Sequence, residues 1–186
     1  NPFLHITRNF YALVDALDEQ DLSPRPLVKT KLAEVAPVTK RPATKHAKAT
    51  GERLLREAFG EQATRTRRVV LVNPNAGALP LRAWPLDRYV QVVRRLLAQD
   101  PMNIVAVIGL PEAKEDADHI RLHVDDPRCA SLVGATNSLE DLVDLMQVCD
   151  LLLTADGGPA HFATLTPIRV VVLFGPETPR LYGPVA

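Results

Sequence analysis

The stretch Thr154-Ala-Asp-Gly-Gly-Pro-Ala-His161 sets an acid, two glycines and a proline between an apolar run and a histidine. The run before it, Asp150-Leu-Leu-Leu-Thr-Ala155, is short and bounded by turn residues, and His161-Phe-Ala-Thr-Leu165 reads as a short helix. Strand, tight glycine turn and helix N-terminus, in that order, suit an anion. Gly157 and Gly158 allow backbone angles that a Cβ resists, so consecutive N–H groups can turn toward one point, and the helix adds its N-terminal partial positive charge. Pro159 fits the first turn, where its missing N–H would have gone unpaired. His161, one turn in, is a donor for a phosphate oxygen. A carboxylate beside a diphosphate is repulsive, so Asp156 is expected to accept N–H bonds from the turn or to hold a sugar hydroxyl. The plain alternative is a helix start with a packed histidine.

Other chemistries find less support. A lone Asp without a second acid is a poor Mg²⁺ site, and no metal is expected. Nothing like G-x-G-x-x-G follows Val69-Val-Leu-Val-Asn73, and no G-x-x-x-x-G-K-[ST] occurs, which weakens nicotinamide and P-loop readings and leaves no cofactor to expect. Cys129 and Cys149 sit in apolar contexts without metal-ligand spacing and read as buried, reduced thiols.

The glycine turn needs elements to carry it, and from residue 69 onward strand-like runs alternate with helical patterns. Strands are expected at 69–73, 104–108, 130–133, 151–154 and 170–174, each nearly continuous in apolar residues, as for strands covered on both faces. Between them, Leu86, Tyr89, Val90, Val93, Leu96 and Leu97 repeat at helical spacing behind Pro85, and Ala113, Ala117, Ile120 and Val124 do so more weakly. Ser138-Leu-Glu-Asp141 resembles a capping box before the Leu139, Leu142, Val143, Met146 stripe. Such a βαβαβαβαβ pattern calls for an α/β fold, a doubly wound, Rossmann-like parallel sheet of order 3-2-1-4-5. Strands one and four are then neighbours, and a ligand crevice opens beyond their C-terminal ends. Asn73-Pro-Asn-Ala-Gly77 and Ala155-Asp-Gly-Gly-Pro159 would line it.

Composition bounds the rest. The chain has 186 residues, 46% of them hydrophobic, enough for one core, and its 22 Lys and Arg balance 22 Asp and Glu, so no global charge draws it to nucleic acid. No apolar run is long enough to cross a bilayer and no signal-peptide order opens the chain, so a cytoplasmic location is expected. Residues 1–67 read as a helical and basic linker extension, with helices over Ile6 to Leu17 and from about Lys48 to Phe59. From Arg25 to Lys48 seven Lys or Arg face the single acid Glu34. That run is a solvated linker or a contact for anionic lipid headgroups at the inner face of the cytoplasmic membrane, or for an acidic partner.

Six short pieces, in order, carry a resemblance: Asn73-Pro-Asn-Ala-Gly77, Arg82-Ala-Trp-Pro85, Ile108-Gly-Leu-Pro-Glu112, Leu132-Val-Gly-Ala-Thr136, Asp156-Gly-Gly-Pro-Ala-His161, and Leu173-Phe-Gly-Pro-Glu-Thr-Pro179 with Tyr182-Gly-Pro184. Together, over about residues 69 to 184, they resemble the C-terminal half of the ADP-heptose:lipopolysaccharide heptosyltransferase family. The resemblance implies one half of a GT-B glycosyltransferase, the half that binds a nucleotide-diphospho-sugar, in an inverting, metal-independent enzyme of lipopolysaccharide or cell-surface glycan synthesis. It places Gly157, Gly158, His161 and the cation Arg82 at the donor diphosphate and Asp156 near the donor sugar. Asn75 and Ala76 fall where small polar residues line the phosphates, and the acid for the ribose hydroxyls falls at Glu112 or Glu115. The family's acceptor domain and its aspartate base have no counterpart in residues 1–67, so residues 68–186 are expected to be a C-terminally truncated donor domain, with no catalytic base and no transferase activity alone. The alternative is a noncatalytic nucleotide-binding or partner-docking module.

Overall fold

The computed structural model describes residues 5–17, 38–65, 68–75, 77 and 80–185. The Ser23-Pro-Arg-Pro26 stretch, the basic run as far as Pro37, and Ala76 lie outside the described residues.

Among the described residues eight α-helices and five strands follow one another: α1 Ile6–Asp15, α2 Lys45–Phe59, α3 Gln62–Arg65, β1 Arg68–Asn73, α4 Leu86–Gln99, β2 Asn103–Val107, α5 Lys114–Val124, β3 Cys129–Ser131, α6 Leu139–Gln147, β4 Leu151–Ala155, α7 Gly158–Phe162, β5 Arg169–Leu173 and α8 Pro179–Tyr182. The strands form one parallel sheet in the order β3-β2-β1-β4-β5, as expected. Local chemistry sets several helix ends. α2 starts at Lys45, earlier than its apolar residues suggest, because Thr44 Oγ1 accepts the Ala47 N–H at 3.1 Å. Ser138 Oγ accepts the Asp141 N–H at 3.1 Å, while the Asp141 carboxylate accepts the N–H of Asn137 at 2.9 Å, one residue before the cap. The shorter Asp side chain thus closes a variant of the capping box.

Side-chain alternation along the strands divides the interior in two. Val70 and Val72 of β1, with Val105 and Val107 of β2, face Tyr89 and Val93 of α4 and Ile120 of α5. Val69 and Leu71, with Ile104, face the other way, against Leu145 and Met146 of α6 and Leu54, Leu55 and Phe59 of α2. Helices on both faces make the sheet doubly wound.

Packing draws the domain differently from composition. The charged residues of α2 make residues 1–67 look like an appendage, yet Leu54 is 1% exposed and belongs to the same core as β1. Gly51 lets α2 come close to α6: a Cβ on it would lie 2.6 Å from Val148 Cγ2 and 2.7 Å from the Asp144 carbonyl oxygen. β5 also departs from expectation, since Val171 is 46% exposed and only part of the strand is covered. Among the described residues no helix is long and apolar enough to cross a membrane.

Candidate functional site

β1 and β4 are neighbours whose crossover helices α4 and α6 lie on opposite sheet faces, so the chain leaves a gap beyond their C-terminal ends. A cleft of about 810 Å³ occupies it. Its walls come from the segments after β1, β2 and β4, from the start of α6, and from Arg82. Buried polar bonds tie the two strand ends together. Asn73 Nδ2 donates to Thr154 Oγ1 at 2.9 Å, and Thr154 Oγ1 donates to the Ala155 carbonyl at 2.8 Å. Just beyond, Asn75 Oδ1 accepts the Gly77 N–H at 2.6 Å, and Gly77 takes φ 68°, a conformation open to glycine.

Asp156 stands at the end of β4, its N–H bonded to the Leu173 carbonyl of β5 at 3.1 Å. Its carboxylate is buried, 5% of the residue being exposed, and Oδ2 has no hydrogen-bond partner. The nearest cation is Arg82, on the 3₁₀ turn Pro80–Arg82, whose Nε lies 3.8 Å from that oxygen. This is an ion-pair distance but too long for a hydrogen bond, and Nε too is buried without a partner. A second carboxylate, Glu177, lies 3.4 Å from Arg82 Nη2. Gly175 brings this carboxylate's loop against the arginine: a Cβ there would meet the Leu81 carbonyl oxygen at 3.0 Å and Arg82 Cα at 3.2 Å.

The glycine turn does its work by space rather than by unusual angles. Gly157 is fully extended, at φ 178°, and neither it nor Gly158 is among the residues of positive φ. A Cβ at Gly158 would rest 3.4 Å from Phe162, an ordinary contact. What the two glycines leave is a turn bare of side chains on the cleft wall. The N–H groups of Gly157 and Gly158 donate to nothing among the described residues, and no side chain caps α7. Pro159 occupies its first turn, as expected.

The cleft brings together Asn75, Arg82, Asp156, Gly157 and Gly158. It does not bring in the other three residues singled out from the sequence. His161 is exposed and off the cleft wall, its carbonyl accepting from Thr164 Oγ1 at 2.7 Å. The structure thus sets His161 outside the cleft that Gly157 and Gly158 line. Glu112, on the 3₁₀ turn Pro111–Ala113, and Glu115, in the first turn of α5, are likewise exposed and off the wall, while Gly109 and Leu110 just before them line it. Sequence reasoning passed over Thr136, Asn137 and Ser138, which line the cleft at the α6 N-terminus beside Leu139 and Leu142. The signal was present, because a cap after a strand on the crevice side is as much a site feature as a helix feature. Glu177 was passed over too, since only the fold brings it to Arg82.

Among the described residues no three His, Cys, Asp or Glu side chains are grouped to hold a metal. Burial pushes the Cys129 thiol up to about 11 and the Cys149 thiol up as well, as in inert interior cysteines.

A sequence model of glycosyltransferase family 9 (heptosyltransferase) matches residues 4–186. The chain is 28% identical over 116 residues to lipooligosaccharide heptosyltransferase 2 of Haemophilus influenzae, a match covering 61% of this chain and 33% of that protein. The chain thus spans about a third of the length of that curated relative. Its fold is similar to the crystal structure of a family 9 glycosyl transferase from Veillonella parvula, with TM-score 0.72 and 20% identity over 97% of this chain and 46% of that one. It is also similar to Escherichia coli heptosyltransferase WaaC with ADP, with TM-score 0.54 and 20% identity over 66% and 36% of the respective chains.

Proposed function

The chain belongs to glycosyltransferase family 9, the heptosyltransferase family, and we propose that residues 68–186, together with α2, form the part of such an enzyme that binds a nucleotide-diphospho-sugar donor, in a GT-B arrangement. The observation that carries this reading is the pair at the cleft wall: a buried carboxylate oxygen of Asp156 and a buried Nε of Arg82, 3.8 Å apart and both lacking a hydrogen bond. Buried polar atoms without partners are costly, and one hydroxyl can accept from Nε and donate to Oδ2 at once. A sugar hydroxyl has that chemistry. The bare turn at Gly157 and Gly158, with the Arg82 guanidinium, suits the diphosphate, and the apolar side chains Ile108, Leu110 and Leu139 suit a nucleobase. A solved structure of similar fold that holds ADP supports an adenine nucleotide, and the heptosyltransferase relatives support a heptose.

In the complete enzyme, an acceptor hydroxyl attacks the anomeric carbon as the diphosphate leaves, with inversion. Arg82 and the donors of the 156–159 turn stabilise the charge that develops on the leaving group. No metal enters this scheme. The proton-accepting base and the acceptor site belong to a part of the enzyme other than these residues, so this chain alone binds donor and does not transfer it. The acceptor is a cell-surface glycolipid precursor such as that of lipopolysaccharide, met at the inner face of the cytoplasmic membrane, with the basic run resting on anionic headgroups.

Calorimetric titration of the chain with ADP, UDP, GDP and their sugars tests the donor reading. ADP and an ADP-sugar are expected to bind more tightly than the other nucleotides. Absence of binding by every diphosphate would leave the noncatalytic docking module as the better account.

A further inference from the structure

Arg82 is the only cation on the cleft wall among the described residues, and it faces two carboxylates. Neither contact is a good one. Charge-assisted hydrogen bonds from a guanidinium run at about 2.7 to 2.9 Å, whereas Arg82 meets Asp156 at 3.8 Å and Glu177 at 3.4 Å. The two acids differ in placement. Asp156 is buried on the wall of the cleft, while Glu177 is not on that wall and keeps a third of its side chain exposed. Its loop packs closely on the arginine's backbone at Gly175, which places Glu177 beside the guanidinium. With two acids to one cation, the cluster carries a net negative charge, which disfavours a diphosphate.

We propose that Glu177 is a positioning residue that holds the Arg82 guanidinium and competes with the donor diphosphate for it. This rests on the reading of the cleft as a donor site and adds to it a residue that tunes affinity. The loose 3.4 Å contact holds the guanidinium at the cleft wall yet yields to phosphate oxygens, which can take shorter, better-aligned bonds. The restraint lowers affinity for the leaving nucleoside diphosphate and so favours its release after transfer.

The test is a titration of ADP and adenosine into the wild-type chain, Glu177→Gln, Arg82→Ala and the double variant, at low and high NaCl. Ligand-induced rises in Tm at millimolar ADP read the weaker binders. Glu177→Gln is expected to bind ADP about three- to tenfold more tightly at low salt, the size of a partly screened charge interaction, with the gain shrinking as salt rises. Adenosine affinity is expected to stay unchanged, and no gain is expected when Arg82 is absent. Unchanged or weaker ADP binding by Glu177→Gln would overturn the proposal, as would an equal gain in the Arg82→Ala background, which would mean direct repulsion. A wild-type chain that binds no ADP at all would instead bring down the donor reading, and this inference with it.

Discussion

Two helices begin at the same cleft and begin differently. α6 opens on Ser138, whose hydroxyl accepts the Asp141 N–H, and Asp141 in turn accepts the N–H of Asn137. The side chains thus close this start, although the N–H groups of Leu139 and Glu140 have no acceptor among the described residues. α7 opens on Gly157, with no side-chain cap, and the N–H groups of Gly157 and Gly158 have no acceptor among the described residues. A side-chain cap fixes a helix start and covers it, whereas an uncapped glycine start leaves its turn bare to the cleft. The buried, unpartnered Asp156 and Arg82 stand beside the open end. Stability should therefore reside with α6 and ligand binding with α7.

The sharpest way to break that division is at the open end. Gly158→Val is expected to abolish ADP binding in titration while far-UV dichroism and Tm stay near wild type, because the new side chain stands over the turn and its Cβ meets only Phe162, at 3.4 Å. Undiminished binding by the folded variant would count against the open turn as a phosphate site.

A smaller effect separates Arg82 from His161. Arg82→Ala should weaken ADP binding by about 1 to 3 kcal/mol, the range for hydrogen bonds to charged groups, and leave adenosine nearly untouched. His161→Ala should change ADP affinity far less, since the side chain is exposed and off the wall. Equal losses in the two variants would show that the imidazole reaches the diphosphate when donor is bound.

The smallest effect belongs to the closed end. Ser138→Ala should cost about 1 kcal/mol of stability, the usual worth of an N-cap, read as a lower Tm or denaturant midpoint. Its ADP affinity should stay within about twofold of wild type, since the hydroxyl already serves the helix. A large loss of affinity with little loss of stability would reverse the roles given to the two helix starts.

The fold was legible because it is written in long repeats. Val69 to Val72 and Leu151 to Leu153 are apolar on both faces, which few arrangements other than a covered parallel strand accommodate. The crevice followed from strand order alone, and with it the approach of Asn75 and Asp156 from loops about 80 residues apart. What stayed hidden depended on side-chain direction and on packing between distant segments. The exposure of His161 is set by a rotation along one short helix, which periodicity over so few residues does not determine. Glu115 begins a helix whose buried residues are Ala117, Ile120 and Val124, and Glu112 lies on the 3₁₀ turn before it; both are exposed. α2 read as a helix of an appended extension because Leu54, Leu55 and Phe59 are few among its charges, and nothing local to it names α6 as its partner.

The seat of Gly51 against Val148 has a kinetic consequence. The two residues are separated by about 100 positions, so the contact of α2 with α6, unlike that of α2 with β1, closes a long loop of the kind that slows folding. Amide hydrogens along the buried side of α2 would then gain protection from exchange late in refolding, together with those of α6 and not with those of the chain on either side of them.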